Sequence, residues 1–304
     1  TTKMNSMFEG CSSLGELKLN VFDVSKVTTM DSMFKGCTLL ETIQMNEWDT
    51  ASIVDLGAMF KECTTIKELD FSNFVLYNVT DVVEMFENCV SVTKVTFGDT
   101  LYNDSDDTRL WKIQSIERIF NGCSNLRDVN LSRFDTRNVT NMSSAFEKCT
   151  ALTELDLTVF ETSMVNNYDR MFADCMALGT IWISSLWDEE YDPANESSTD
   201  MFVGCTAPLY GRDSTVAYDS VLNSGEMANH TDGYLSYKEL STMVIPGDMF
   251  NTLSHDYYKH SFVDNKYAIV FTHERPDRSI YLQDVSANRD NGVVAWEGEQ
   301  IFNG

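Results

Sequence analysis

The stretch Val27–Ser52, VTTMDSMFKGCTLLETIQMNEWDTAS, decides the fold, because the chain repeats its spacing of apolar residues many times. Its Cys37 is one of eight cysteines: Cys11, Cys37, Cys63, Cys89, Cys123, Cys149, Cys175 and Cys205. Each stands three residues after a Phe, and successive separations are 26, 26, 26, 34, 26, 26 and 30 residues. A fixed period of this length is the mark of a solenoid, in which a unit too small to bury its own face covers that face with its neighbours.

Inside the unit, Val27, Met30, Met33, Phe34 and Cys37 recur at three- and four-residue steps, which predicts the apolar stripe of a short helix ending near Gly36. Leu40 follows. Ile43 and Met45, two apart, predict a short strand, and Trp48 turns inward after it. Asp49, Thr50 and Ser52 supply turn and cap chemistry before the next unit. The slots return as Ile53, Leu56, Met59, Phe60, Cys63, Ile66 and Leu69, and as Val139, Met142, Phe146, Cys149, Leu152 and Leu155. The expected fold is an α/β solenoid, a leucine-rich-repeat-like right-handed coil with one short helix and one short parallel strand per repeat. About eight coils span residues 1–235, with a closing segment at 206–235, and a small β-rich module follows at 236–304.

Composition narrows the function classes. The chain has 304 residues, of which 43% are hydrophobic, a fraction too high for disorder. Twenty-two Lys and Arg against 47 Asp and Glu give a formal charge of −25. Such a polyanion is repelled by nucleic acid and by anionic lipid, which excludes both as direct ligands. No apolar run approaches the roughly 18 residues of a membrane span. The opening residues Thr1 to Phe8 already lie inside a repeat and form no basic or apolar leader, so any targeting signal is expected outside this sequence.

Cys-x-x-Leu-x-x-Leu-x-Leu-x-x-Phe-Asp, followed by Val-Thr-x-Met-x-x-Met-Phe, has its cleanest copy at Cys123–Phe146, which reads CSNLRDVNLSRFDTRNVTNMSSAF. This pattern resembles the BspA-like leucine-rich repeats of bacterial surface proteins and lipoproteins, over about residues 1–235. The stretches Tyr210-Gly211-Arg212-Asp213 and Thr231-Asp232-Gly233-Tyr234-Leu235 look like that family's closing segment. Asp284-Val285-Ser286 with Val293-Val294-Ala295-Trp296 resembles the lead-in of a further array. The resemblance implies an extracellular or cell-surface location and an adhesive or unassigned role, with no catalytic residues and no cofactor.

Two units break the period. Gly98–Trp111 carries eight extra residues, including Asp104, Asp106 and Asp107. Ser184–Asp200 carries four, with Asp188, Glu189, Glu190, Asp192 and Pro193. Insertions in solenoids become loops on one face. Asp104-Ser105-Asp106-Asp107 could offer oxygen ligands to calcium but lacks the Gly and distal Glu of a helix-loop-helix site, so a solvated loop is the plainer reading. Pro208 stands where Leu recurs, which predicts that the strand ladder ends before it. Beyond Ser236, Lys266–Phe271 and Gly292–Trp296 read as strands.

The cysteines lack the paired spacing and nearby His that zinc requires. Disulfides between neighbouring coils are sterically conceivable, but each Cys occupies a core slot and packs as a small hydrophobe, so buried thiols are expected. His230, His255, His260 and His273 all fall near or past the end of the array, and no phosphate loop, dinucleotide fingerprint or nucleophile elbow is present.

The positions five and seven after each Cys point away from the core. They include Glu16 and Lys18, Glu68 and Asp70, Asp128 and Asn130, Glu154 and Asp156, then Thr180 and Trp182. Glu16, Glu68, Asp70, Asp128, Glu154, Asp156 and Trp182 are therefore the candidate binding residues, on a mainly acidic sheet face with one aromatic. The expected function is a non-enzymatic surface protein that presents a rigid repeat scaffold to a protein or glycan on a host or neighbouring cell. A structural spacer that holds another module is the alternative, and an enzyme in the C-terminal module has the least support.

Overall fold

The structure is a computed structural model. It describes residues 1–76, 78–97, 113–131, 134–188, 192–207, 223–229 and 233–237, and the backbone of four strands from Phe262 onward and of two short strands at 209–211 and 214–216. Two compact units result. One comprises Thr1–Thr100 with Leu110–Tyr237 and holds the array; the other holds the strands from Phe262.

Seven short strands recur at one phase of the repeat: β1 (Glu16–Lys18), β2 (Thr42–Gln44), β3 (Glu68–Phe71), β4 (Lys94–Phe97), β5 (Asp128–Val129), β6 (Glu154–Asp156) and β7 (Thr180–Ile183). They bound about six turns of a β-solenoid with parallel strands. Pairing is in register by slot, so Leu69 lies beside Val95 and Val95 beside Val129. Three parallel groups form: β1–β2, β3–β4–β5, and β6–β7 joined by β10 (Ser236–Tyr237). The last pairing corrects the expectation that the ladder stops before Pro208. After a hairpin of β8 (Leu209–Gly211) and β9 (Ser214–Val216), the chain returns and sets Ser236 beside Trp182.

The expected helix is absent: the described residues contain no α-helix, and the Met-x-x-Met-Phe-x-x-Cys segment is a run of tight turns. The reason lies in two left-handed residues per coil, five and one before each Cys. Ser32 has φ 56° and Gly36 has φ 70°; Arg118 and Gly122 repeat this at 53° and 74°. A right-handed helix cannot contain such residues four apart without breaking.

They serve a different bonding scheme. In the second coil the N–H groups of Met30, Ser32, Phe34 and Gly36 donate to Asp55, Gly57, Met59 and Lys61 of the next coil, at 2.8–2.9 Å. The intervening N–H groups of Met33, Lys35 and Cys37 donate back to Met30, Ser32 and Phe34 of their own coil, at 3.0–3.1 Å. Half of the amides thus bond across coils and half within, which satisfies the backbone without a helix. The Phe N–H carries this second ladder through every coil boundary, from Phe8 to Met33 through to Phe172 to Met201.

The core follows from register. Phe34, Phe60, Phe86, Phe120, Phe146, Phe172 and Phe202 are all fully buried. Successive rings stack at centroid distances of 5.1–6.2 Å, and Tyr234 closes the column edge-on to Phe202 at 5.2 Å. Trp48 is buried and donates its indole N–H to Leu19 at 2.8 Å.

All eight cysteines are free thiols; seven are buried and Cys11 is exposed. Each buried Sγ donates to the carbonyl of the preceding coil's Phe, as in Cys63 to Phe34 at 3.1 Å and Cys175 to Phe146 at 3.0 Å. A Leu or Ala in that slot would fill space but forfeit this bond, so the slot asks for more than a small apolar group. Burial pushes the Cys37 thiol up to about 11 and the Cys205 thiol up to about 12, and the deeper thiols higher still.

In the second unit, β11 (Phe262–Asp264), β12 (Tyr267–Phe271), β13 (Ile280–Asp284) and β14 (Glu299–Phe302) form an antiparallel sheet in that order. The strand expected at Lys266–Phe271 corresponds to β12. Gly292–Trp296 and the lead-in residues Val285 to Trp296 lie outside the described residues.

Candidate functional site

Strand alternation turns two residues of each strand to solvent. In β3, Glu68 and Asp70 are exposed while Leu69 and Phe71 are buried; in β6, Glu154 and Asp156 are exposed around buried Leu155. Glu16, Lys18, Asp128 and Asn130 are exposed as well, and Trp182 is half-buried. Within each strand group the candidate residues therefore stand in two rows on the outward side of the strands.

Register also brings onto this face residues that the sequence reading passed over: Thr42, Gln44, Lys94 and Thr96. Lys94 stands between Glu68 and Asp128, in contact with the latter at 2.9 Å. The hydrogen bond and charge of Asp128, together with the charge of Glu68, hold its ammonium above the usual lysine range. The five-after-Cys rule that found Glu68 would also have found Lys94, counted from Cys89.

The face changes character along the array. On β1–β2, Lys18 pairs with Glu16 at 3.2 Å, beside neutral Thr42 and Gln44. On β3–β4–β5, Glu68 and Asp128 flank the one cation of these strands, Lys94, and Asp70 lies beside Thr96. On β6–β7–β10, Glu154 and Asp156 lie beside Thr180 and Trp182, and these strands carry no Lys or Arg. The Trp182 indole N–H donates to Glu154 Oε1.

Two of the acids also have a local task. Asp70 accepts the Ser72 N–H at 2.8 Å, and Asp156 accepts the Thr158 N–H at 3.0 Å and its hydroxyl at 2.6 Å. Each ends its strand in an Asx turn.

Two further charged groups lie on the turn side. Asp31, Asp55 and Asp81 gather round Gly57, where an added Cβ would lie 3.3–3.4 Å from an oxygen of each. Burial, and then the charges of Asp55 and Asp31, raise the Asp81 carboxyl above its usual range. Asp55 and Asp81 are engaged by the N–H groups of Gly57 and Val83, each at 2.9 Å. Buried Glu147 accepts from Asn121 and Arg170 at 3.0 Å and lies 3.2 Å from Lys148. Burial alone would raise its carboxyl, but the bonds from Arg170, Ser144 and Lys148 hold it below the usual range.

Among the described residues no group of His, Cys, Asp and Glu is arranged to hold a metal ion, and no helix is long and apolar enough to cross a membrane. The acidic insertion Asp104–Asp107 and all four histidines lie outside the described residues.

A family model described as "Mycoplasma protein of unknown function, DUF285" matches residues 2–97 and 94–208. A leucine-rich repeat protein from Eubacterium ventriosum is 19% identical with a TM-score of 0.42, over 67% of this chain and 46% of its own. One from Bacteroides ovatus is 22% identical with a TM-score of 0.32, over 58% and 51%. A leucine rich cell surface protein from Faecalibacterium prausnitzii is 15% identical with a TM-score of 0.29, over 84% and 66%. The chain thus spans about half the length of the first two. No curated protein matches it.

Proposed function

The chain belongs to the DUF285 family, and we propose that it is a non-enzymatic repeat scaffold of the cell surface, which holds its strand face out to a protein or glycan on a host or neighbouring cell. The supporting observation is the pair of exposed rows that parallel register builds within each strand group. Extended sheets of this kind are the binding surfaces of solenoids generally. Resemblance to BspA-like repeats supports the same reading, as does the cell-surface description of the Faecalibacterium protein.

The test is a screen of host proteins and glycans, run in parallel on a variant with Glu68, Asp70, Glu154 and Asp156 reversed to Lys. Partners lost on reversal support the reading; partners indifferent to it count against the acidic face. A spacer role is favoured by the local bonds of Asp70 and Asp156, which account for those two acids without any ligand. A spacer binds nothing in the screen and tolerates every change on the face.

A further inference from the structure

Of the two places where strand groups meet, the boundary between β2 and β3 lies wholly within the described residues. Its strand side lacks what the boundaries before and after it have. Between β1 and β2, the Glu41 N–H donates to Gly15 at 2.8 Å and the Leu19 N–H to Gln44 at 2.9 Å, on either side of the paired strands. Between β3 and β4, the Thr93 N–H donates to Lys67 at 2.7 Å. One period along, the equivalent donors at the β2–β3 boundary are Lys67 and Met45, and neither N–H has an acceptor among the described residues. Nor does any residue of Thr42–Gln44 pair with Glu68–Phe71.

Threonine hydroxyls are what join the coils there. Thr50, after β2, donates to the Val75 carbonyl at 3.3 Å and accepts the Val75 N–H at 2.7 Å. Thr64 and Thr65, before β3, both donate to the Thr38 carbonyl. The turn side of the same boundary is intact. Met30, Ser32, Phe34 and Gly36 donate across it, and the rings of Phe34 and Phe60 stack at 5.1 Å, the shortest spacing in the column.

We infer that the array hinges at this boundary: the strand side parts between β2 and β3 while the turn side holds. The rows on β1–β2 then swing as one body against the rows on β3–β4–β5. The inference goes beyond the binding reading and depends on no partner.

Two physical reasons carry it. Parting a paired boundary breaks several backbone bonds together, whereas parting this one breaks contacts of hydroxyls, which bond to water nearly as well. Met45 is buried, and its N–H gains a partner once water enters, so parting offsets some of its own cost. In a chain of stacked units, opening is expected where the contact between neighbours is weakest.

The test is amide hydrogen exchange of the whole chain, followed by NMR. Val75 is the reporter. Its matched control is the Asp188 N–H, bonded to Thr162 Oγ1 at 2.7 Å across the paired β6–β7 boundary. After correction for intrinsic rates, Val75 is expected to exchange about tenfold faster than Asp188. A lock is supplied by a disulfide between Thr42→Cys and Glu68→Cys, both exposed on the strand face, with Cys11→Ser to remove the exposed native thiol. The oxidised form is expected to slow Val75 about tenfold and leave Asp188 unchanged. Reduction restores the rate, which separates the lock from any effect of the substitutions on folding.

Equal exchange of the two amides in the unaltered chain overturns the hinge. So does a Val75 rate that the disulfide leaves unchanged. Slowing of Val75 and Asp188 to the same extent shows general stabilisation and overturns it as well.

Discussion

The strand side and the turn side of each coil share one period yet are held together differently. On the strand side, pairing forms three groups among the described residues, β1–β2, β3–β4–β5 and β6–β7–β10. On the turn side, the Phe N–H of each coil reaches the next without interruption, including the two boundaries where the strand groups meet: Phe34 to Met59 and Phe120 to Ala145, both at 2.9 Å. Continuity of the array therefore lives in the turns. The strand side varies freely in its outward residues, which range from Lys to Trp in one slot, while the turn side keeps two left-handed positions in each coil whatever residue fills them, from Gly36 to Arg118 and Lys148.

The comparison can be broken most severely in the column the turns support. Phe120→Ala removes a fully buried ring stacked on Phe86 and Phe146. It is expected to cost about 3–5 kcal/mol in denaturant unfolding, and to do so across the array, since neighbours share the column. A loss below 1 kcal/mol would show that the column is not what couples the coils.

Arg170→Ala takes from buried Glu147 its strongest bonds, leaving Asn121, Ser144 and Lys148. With Arg170 partly open to solvent, a loss of about 1–2 kcal/mol at neutral pH is expected. The sign with pH follows from the lowered Glu147 carboxyl. Its stabilisation is complete above the ordinary carboxylate range and disappears as pH falls through the lower, folded value. The variant is therefore expected to lose part of the acid dependence of wild-type melting, and identical acid slopes would contradict the pairing.

A subtler change acts on left-handed geometry. At Gly122, φ is 74° and an added Cβ would stand 2.3 Å from Asn88 Oδ1 of the preceding coil. Gly122→Ala is expected to cost about 1–2 kcal/mol, and Asn88→Gly in the same chain to recover the part due to the clash. Failure of the second change to recover anything would mean that backbone conformation alone sets the cost. At the small end, reversing Glu68, Asp70, Glu154 and Asp156 one at a time is expected to change stability by about 0.5 kcal/mol or less, with Asp70 and Asp156 the larger because they end their strands in turns. Equal sensitivity of both sides to substitution would erase the contrast.

Much of this was legible before any coordinates. Slot identity at 26-residue spacing gave the stacked coil, and alternation gave the strands and the exposure of Glu68, Asp70, Glu154 and Asp156. The helix was misread because Met30, Met33, Phe34 and Cys37 keep helical spacing while they point inward from a series of turns. A signal existed: the slot before Cys is Gly in four coils, Asn in one and Asp in another, residues suited to left-handed backbone. It was taken for the end of a helix. The reason for Cys, rather than any small apolar residue, was not readable, because the acceptor is a carbonyl one coil away. Lys94 was overlooked on the face, so the middle of the array looked more uniformly acidic than it is.

The sulfhydryl bonds described above also bear on how such an array changes length over generations. Every coil carries a donor at its Cys and an acceptor at its Phe, and the bond between them forms across the 34-residue spacing, Cys123 to Phe86 at 3.1 Å, as readily as across 26. A duplicated or deleted unit therefore meets matching partners on both sides, and recombination between repeats lengthens or shortens the rod in whole steps of about 4.8 Å. The same bond spans the 30-residue spacing, Cys205 to Phe172 at 3.1 Å, so the added residues of both longer units leave this spine in place.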